Sequence, residues 1–244
     1  MDNYEYCAQF AHDNSHGAAR VLDYGCGAGQ IVDKLRKSGV EAFGCDVFYE
    51  GGDYSGQVTD GALNTIIQPM EDDRIPFPSN HFDLVINNQV MEHVPDLDGV
   101  LAEIRRVLKP GGQVLSLFPD RSVWREGHCG IPFLHWFPKH SGVRIYYALV
   151  LRAFGLGHHK EGKSRYQWSS EFCDWIDLWT YYRSYSEIER GYRKYFSDIK
   201  HLEVQRWDKR FNETHFARRW LPTTLKRILH RKLAGMVIVC ARTE

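Results

Sequence analysis

One acid and three alternating glycines, in Asp23-Tyr24-Gly25-Cys26-Gly27-Ala28-Gly29-Gln30, close the apolar run Val21-Leu22 and lead into a helical pattern. A strand that ends on such a turn offers backbone N–H groups and a helix N-terminus to a ligand, and glycine lets that ligand approach the main chain closely. The spacing discriminates between ligands. A dinucleotide site of the form G-x-G-x-x-G would need its third glycine at position 30, where Gln30 stands, and the Gly-Lys-Ser/Thr ending of a phosphate-gripping loop is missing. A second apolar run, Val40-Glu41-Ala42-Phe43-Gly44-Cys45-Asp46-Val47, closes on an acid seventeen residues after Gly29. A carboxylate at the end of the second strand of a doubly wound sheet accepts hydrogen bonds from ribose hydroxyls. The expected ligand is a nucleoside-bearing cofactor, held at Asp23, Gly25, Cys26, Gly27, Gly29, Asp46 and Val47.

The pattern Asp23-x-Gly25-x-Gly27-x-Gly29 with Asp46 resembles motif I of the class I S-adenosylmethionine-dependent methyltransferases, in their small-molecule "type 11" branch. Three later passages resemble the same family in the same order: Arg74-Ile75-Pro76-Phe77-Pro78 through His81-Phe82-Asp83, then Asn87-Asn88-Gln89-Val90-Met91-Glu92-His93-Val94-Pro95, then Glu103-Ile104-Arg105-Arg106-Val107-Leu108-Lys109-Pro110-Gly111-Gly112. The likeness covers residues 18–119. It implies a Rossmann-like α/β fold, a doubly wound, mostly parallel seven-stranded sheet, and S-adenosylmethionine as cofactor. It places Glu71 or Asp72 near the adenine amino group and Asn87 and Gln89 near the methyl group, where both could equally cap the next turn. His93 stands close to the cleft in this pattern and is assigned to capping or packing. One departure is local: the long helix usual after strand two is replaced by the glycine-rich Tyr49-Glu50-Gly51-Gly52-Asp53-Tyr54-Ser55-Gly56.

Beyond the resemblance lies Pro119-Asp120-Arg121-Ser122-Val123-Trp124-Arg125-Glu126-Gly127-His128, continuing through His135 to Lys139. It starts at the C-terminal end of strand five, where open α/β sheets bind their ligands. Displacement of a methyl from a sulfonium requires alignment, and deprotonation when the acceptor is a hydroxyl. His128 and His135, with Asp120, are the candidates for moving that proton. Arg121, Arg125, Glu126 and Lys139 are candidates for holding a small or carrier-linked anionic or saccharide acceptor. The alternative for each of these residues is internal: histidines pinning the loop, and arginines paired with Asp120 and Glu126.

Composition separates the two parts further. Residues 1–120 hold 8 Lys/Arg against 19 Asp/Glu, residues 121–244 hold 23 against 12, and all seven tryptophans follow residue 120. The basic, aromatic part leaves open a nucleic-acid methyltransferase or RNA-binding protein, for which steep salt dependence would be diagnostic. It also leaves open a silent cofactor-binding regulator, which would bind cofactor without turnover. Nucleic acid is the less expected partner, since acids interleave the basic residues and no Asn/Asp-Pro-Pro-Tyr/Phe motif occurs. Six scattered cysteines without a C-x-x-C pair point to reduced thiols and no resident metal, and the absence of a leader pattern or a 20-residue apolar run points to the cytoplasm.

Strands are expected at 20–24, 40–46, 66–68, 82–87, 112–119, 202–208 and 236–241, and helices at 29–38 and 97–108, where apolar residues recur at three and four. Residues 1–17 read as a loose segment or lid belonging to a cofactor domain that ends near residue 120. Residues 121–200 read as a helical cap, and 201–244 as closing strands around a basic helix, 220–233. In that helix Leu225, Ile228, Leu229 and Leu233 share one side, which suits packing on the sheet or contact with an anionic membrane surface.

Overall fold

The computed structural model describes residues 1–14, 19–72, 74–211 and 220–242. Seven strands form one sheet in the order β3-β2-β1-β4-β5-β7-β6. They are β1 (Arg20–Tyr24), β2 (Glu41–Asp46), β3 (Ile67–Pro69), β4 (Phe82–Asn88), β5 (Leu108–Phe118), β6 (Ser197–His201) and β7 (Met236–Ala241). The first five run parallel, while β7 is antiparallel to both β5 and β6. Chain order reverses between β1 and β4, so the carboxyl ends of these strands diverge there and open the crevice in which doubly wound sheets bind ligands.

Helices cover both faces, which is why β1, β4 and β5 read as almost continuous apolar runs. Helices α1 (Asn3–Asn14) and α2 (Gln30–Lys37) pack Tyr6, Cys7, Ala11, Ile31 and Leu35 against Val21, Ile86 and Leu115. On the other face α3 (Leu97–Val107) and α6 (Tyr185–Tyr195) bring Leu101, Ile104, Ile188 and Tyr192 against Leu22, Val85 and Val114. The expected loose N-terminal segment is therefore mostly a packed helix of the sheet layer; positions 15–17 lie outside the described residues.

Helices α4 (Gly142–Ala153) and α5 (Arg165–Trp179) form a separate small core with the loop after β5, around Ile131, Leu134, Ala148, Trp168 and Ile176. The cap thus ends before α6, whose Gly191 lies against Leu97 and Leu101 of α3. Arg183 ties the cap to the sheet by donating to the carbonyls of Met91, Val94 and Pro95.

Two sequence expectations need correction near the C-terminus. Residues 202–208 are not strand six: β6 ends at His201, and Glu203–Phe211 is helix α7. The alternation Leu202/Val204 imitates a strand, but the buried positions Glu203, Arg206 and Trp207 follow a helical stripe. The basic helix does form, as α8 (Thr223–Ala234), yet it turns Lys226 and His230 inward and leaves Leu225, Ile228 and Leu233 exposed. Ion pairs decide that orientation, since Lys226 meets Asp208 at 2.6 Å and Arg231 meets the fully buried Glu203 at 2.8 Å. No helix among the described residues is long and apolar enough to cross a membrane, and their cysteines are all buried free thiols.

Candidate functional site

A cleft of about 910 Å³ opens above the carboxyl ends of β1, β2 and β4, near the upper end for small-molecule sites. Its first wall is the turn after β1. Gly25 and Gly29 have φ of +72° and +79°, and a Cβ on Gly25 would lie 2.4 Å from Val90 Cγ2. Both positions therefore require glycine for backbone sign and for space. The N–H groups of this turn are largely committed to the protein: Gly25 and Cys26 donate to the Cys45 carbonyl, Gly27 to Asp46 Oδ2, and Gly29 to the Cys26 carbonyl. This corrects the expectation of open N–H donors, because the turn presents surface and carboxylates instead.

Asp46 Oδ1 also accepts from the Phe48 N–H, so one buried carboxylate fixes the turn and faces the cleft with its remaining lone pairs. Burial pushes its pKa up against the opposing effect of those N–H groups, and burial with Asp46 nearby raises Asp23 well above the usual carboxylate range. Asp23, Gly25, Cys26, Gly27, Asp46 and Val47 all line the cleft, together with Tyr4 of α1. Gly29 stands behind the lining as the left-handed residue at the start of α2. Glu71 and Asp72 are exposed and lie outside the lining, where Met70 takes the wall position. Asn87 is buried and donates to Ser116 Oγ, so Asn88 and Gln89 border the cleft in its place.

The second wall is aromatic and comes from distant segments: Tyr49 and Tyr54 after β2, Trp175 and Trp179 of α5, and Tyr181 and Tyr182 beyond it. Here the departure after β2 finds its reason. A Cβ on Gly51 would lie 2.7 Å from the Trp179 ring, and the Gly51 carbonyl accepts from Trp175 Nε1. Glycine rather than helix lets the cap helix descend onto this loop.

A polar cluster interrupts the aromatic wall. His128 Nδ1 lies 2.6 Å from Glu126 Oε1, Tyr182 Oη donates to the same oxygen, and the Cys129 N–H donates to Glu126 Oε2. These donors outweigh burial and hold Glu126 near pKa 2, while the Glu126 carboxylate raises His128 against its own burial. His93 Nδ1 lies 2.7 Å from the Trp179 carbonyl, and burial together with His128 brings its pKa down to about 4. The two rings approach through their Nε2 atoms at 3.2 Å. Glu92, 1% exposed, has no hydrogen-bond partner on either carboxylate oxygen, and burial lifts it to about 7.

Of the residues expected to meet the acceptor, His128 and Arg125 line the cleft. Arg125 also reaches His158 and the Gly130 carbonyl. Asp120 is buried outside the lining and accepts from Ser122, while His135 packs behind the wall against Tyr182, the tilted rings 4.4 Å apart. Lys139 is spent on the carbonyls of Asp177 and Thr180, Arg121 lies outside the lining, and Glu126 acts through His128. Sequence pattern alone assigns no site role to Glu92 or the six aromatics, and it sets His93 close to the cleft but as a capping or packing residue. The adjacent acid and imidazole after β4 are the available signal for a polar role of both.

Residues 22–116 match the family described as "Methyltransferase domain". A sterol 24-C-methyltransferase of Gibberella zeae is 37% identical over 97 residues, 38% of this chain and 26% of that protein. A ubiquinone biosynthesis O-methyltransferase of Sinorhizobium fredii is 26% identical over 152 residues, 59% of this chain and 60% of that one. The chain thus spans less than two thirds of the length of these relatives. Among solved structures, an S-adenosylmethionine-dependent methyltransferase from Mesorhizobium loti superposes with a TM-score of 0.57 at 14% identity, covering 98% of each chain. The YcgJ protein of Bacillus subtilis gives 0.51 at 16% identity, over 99% of this chain and 98% of that one.

Proposed function

Because this chain belongs to the class I S-adenosylmethionine-dependent methyltransferases, we propose that it transfers the methyl group of that cofactor to a hydroxyl oxygen on a small or carrier-linked acceptor bearing a ring. One observation carries the reading: a single cleft has two buried acids and a glycine turn on one wall, and aromatic faces around a His93/His128 pair on the other. Asp23 and Asp46 suit a cofactor with a sulfonium cation, and Asp46 keeps acceptor capacity for its ribose. The rings of Tyr49, Trp175, Trp179 and Tyr182 suit a planar or saccharide face. The histidine pair offers the polar point to which the attacking oxygen is drawn. Transfer is in-line, so alignment between the two walls is the chief contribution of the protein.

Of the cations expected to hold an anionic acceptor, Arg125 lines the cleft, joined there by Arg210, while Lys139 is engaged elsewhere and Arg121 lies outside the lining. Cations engaged inside the fold weaken the nucleic-acid reading. Arg144, Arg231 and Lys226 are in ion pairs inside the fold, and Arg183 serves backbone carbonyls. A lipid carrier suits the exposed Leu225, Ile228 and Leu233 of α8, since Leu233 also lines the cleft. Co-sedimentation with anionic vesicles should fall on Ile228→Ser, and equal pelleting of both proteins would remove the carrier from this reading.

The direct test is S-adenosylhomocysteine release from labelled cofactor over a panel of ring hydroxyl acceptors, catechols, phenols and sugars, each free and lipid-linked. Turnover with at least one O–H acceptor, lost when that hydroxyl is blocked, is the expected result. Tight cofactor binding with no release across the panel would support the silent regulator instead.

A further inference from the structure

The Nε2 atoms of His93 and His128 face each other at 3.2 Å, and the tautomers are set from behind. The nearest partner of each Nδ1 is an oxygen that can only accept, the Trp179 carbonyl at 2.7 Å for His93, with the Tyr49 hydroxyl farther off at 3.4 Å, and the Glu126 carboxylate at 2.6 Å for His128. Each Nδ1 therefore carries a proton, and in the neutral rings two Nε2 lone pairs are brought within 3.2 Å of each other. Something positive has to lie between them. A proton would satisfy the two rings but leave Glu92 fully buried without a hydrogen-bond partner on either oxygen, which is costly for a carboxyl group in either protonation state. Donor atoms of Glu92, His93 and His128 all lie within 4.8 Å of one another, and a divalent cation at their centre would satisfy all three residues.

We propose that Glu92, His93 and His128 form a binding site for a divalent transition cation of the zinc class, with a coordination position open to the cleft. The separation fits: two nitrogens at about 2.0–2.1 Å from a tetrahedral ion stand roughly 3.3 Å apart. Two imidazoles and one carboxylate form a set used by open zinc sites, in which the remaining position takes water or a ligand oxygen. The supporting contacts are those that metal-bound histidines require, a carbonyl behind one ring and a carboxylate behind the other, the latter itself held by Tyr182 and the Cys129 N–H. Sequence spacing concealed the site, because two ligands are adjacent at the end of β4 and the third arrives from the loop after β5. The proposal is independent of methyl transfer, since binding of the ion requires neither cofactor nor acceptor.

The test uses the full chain, stripped with a chelator and titrated with Zn²⁺ alone against a chromophoric competitor, then with Co²⁺ for its visible absorption. We expect one ion per chain at micromolar affinity or better, with cobalt bands of a four- or five-coordinate site. His128→Gln and Glu92→Gln should each weaken Zn²⁺ at least about 100-fold, and Glu126→Gln about 10- to 100-fold through loss of ring orientation. Failure of the wild-type chain to bind either ion at 100 µM overturns the proposal, as does unchanged affinity in folded His128→Gln and Glu92→Gln. Should a variant not fold, long-range ¹H–¹⁵N spectra of the wild-type imidazoles decide. Zn²⁺ should shift the Nε2 resonances of His93 and His128, and shifts confined to other histidines would overturn the assignment.

Discussion

Along one wall of the cleft a ligand meets main chain and two buried acids, all supplied by the ends of β1 and β2; along the other it meets side chains from four separated stretches, after β2, after β4, after β5 and at the end of α5. The first wall is rigid because its donors are already used. Gly25, Cys26, Gly27 and Gly29 bond within the protein, so the turn is preformed before any cofactor arrives. The second depends on cap docking, through Trp175 to the Gly51 carbonyl, Tyr181 N–H to the Glu92 carbonyl, and Arg183 to three carbonyls after β4. A scaffold that fixes the common cofactor locally can vary its acceptor by changing only the inserted segment.

If the walls are separable, breaking the first should abolish cofactor binding and leave the cap intact. Gly25→Val places a branched side chain against Val90 at a positive φ, and calorimetry with S-adenosylhomocysteine should show affinity reduced at least about 100-fold. Near-wild-type affinity would show that the turn does not contact the cofactor. Asp46→Asn preserves shape but removes charge, and should weaken the same ligand by about 1.5–3 kcal/mol, the range for a hydrogen bond to a charged group. An unchanged constant would move ribose recognition elsewhere. Tyr182→Phe removes one donor to Glu126 and should lower turnover several-fold while cofactor affinity holds. An equal loss in both would join the two walls into one unit.

A separate effect, on stability, concerns neither wall. His230 is buried beneath α8 and its pKa is brought down to about 4, chiefly by burial. Its folded value lies below the unfolded one of about 6.5, so the unfolded chain takes up the proton first as pH falls. Stability is undiminished above about pH 6.5 and declines toward pH 4, by up to about 3 kcal/mol. Urea midpoints at pH 7.5 and 4.5 should converge in His230→Gln relative to the wild type, and an identical pH response would assign the decline to other groups.

The same contrast explains what was legible in the sequence. The glycine turn, Asp46, the parallel strands and their helices follow from local periodicity and turn chemistry, with the family resemblance fixing the turn as motif I, and they stand where expected. The register of Glu71, Asp72 and Asn87 did not carry over, because one residue of shift along a strand or its following turn exchanges a lining position for a buried or exposed one. His128 was legible as an imidazole at a strand's carboxyl end, whereas His135 and Asp120 shared that sequence context and turned inward. His93 was legible only as a capping or packing residue close to the cleft and Glu92 not at all, because the residue both approach, His128, lies in a loop more than thirty residues downstream. Helix α7 was misread because its buried face is charged, with Glu203 and Arg206 where apolar residues would have revealed the period.

The central claim is that one cleft holds S-adenosylmethionine on its glycine wall and meets the acceptor at the histidine pair. Calorimetric titration of S-adenosylhomocysteine into wild type, Gly25→Val and His128→Gln tests it most directly. The account predicts saturable binding at one ligand per chain in wild type, loss in Gly25→Val, and affinity within about threefold of wild type in His128→Gln, since this last change should be felt by the acceptor and not by the cofactor. No binding by the wild-type chain, or parallel losses in both variants, would contradict it.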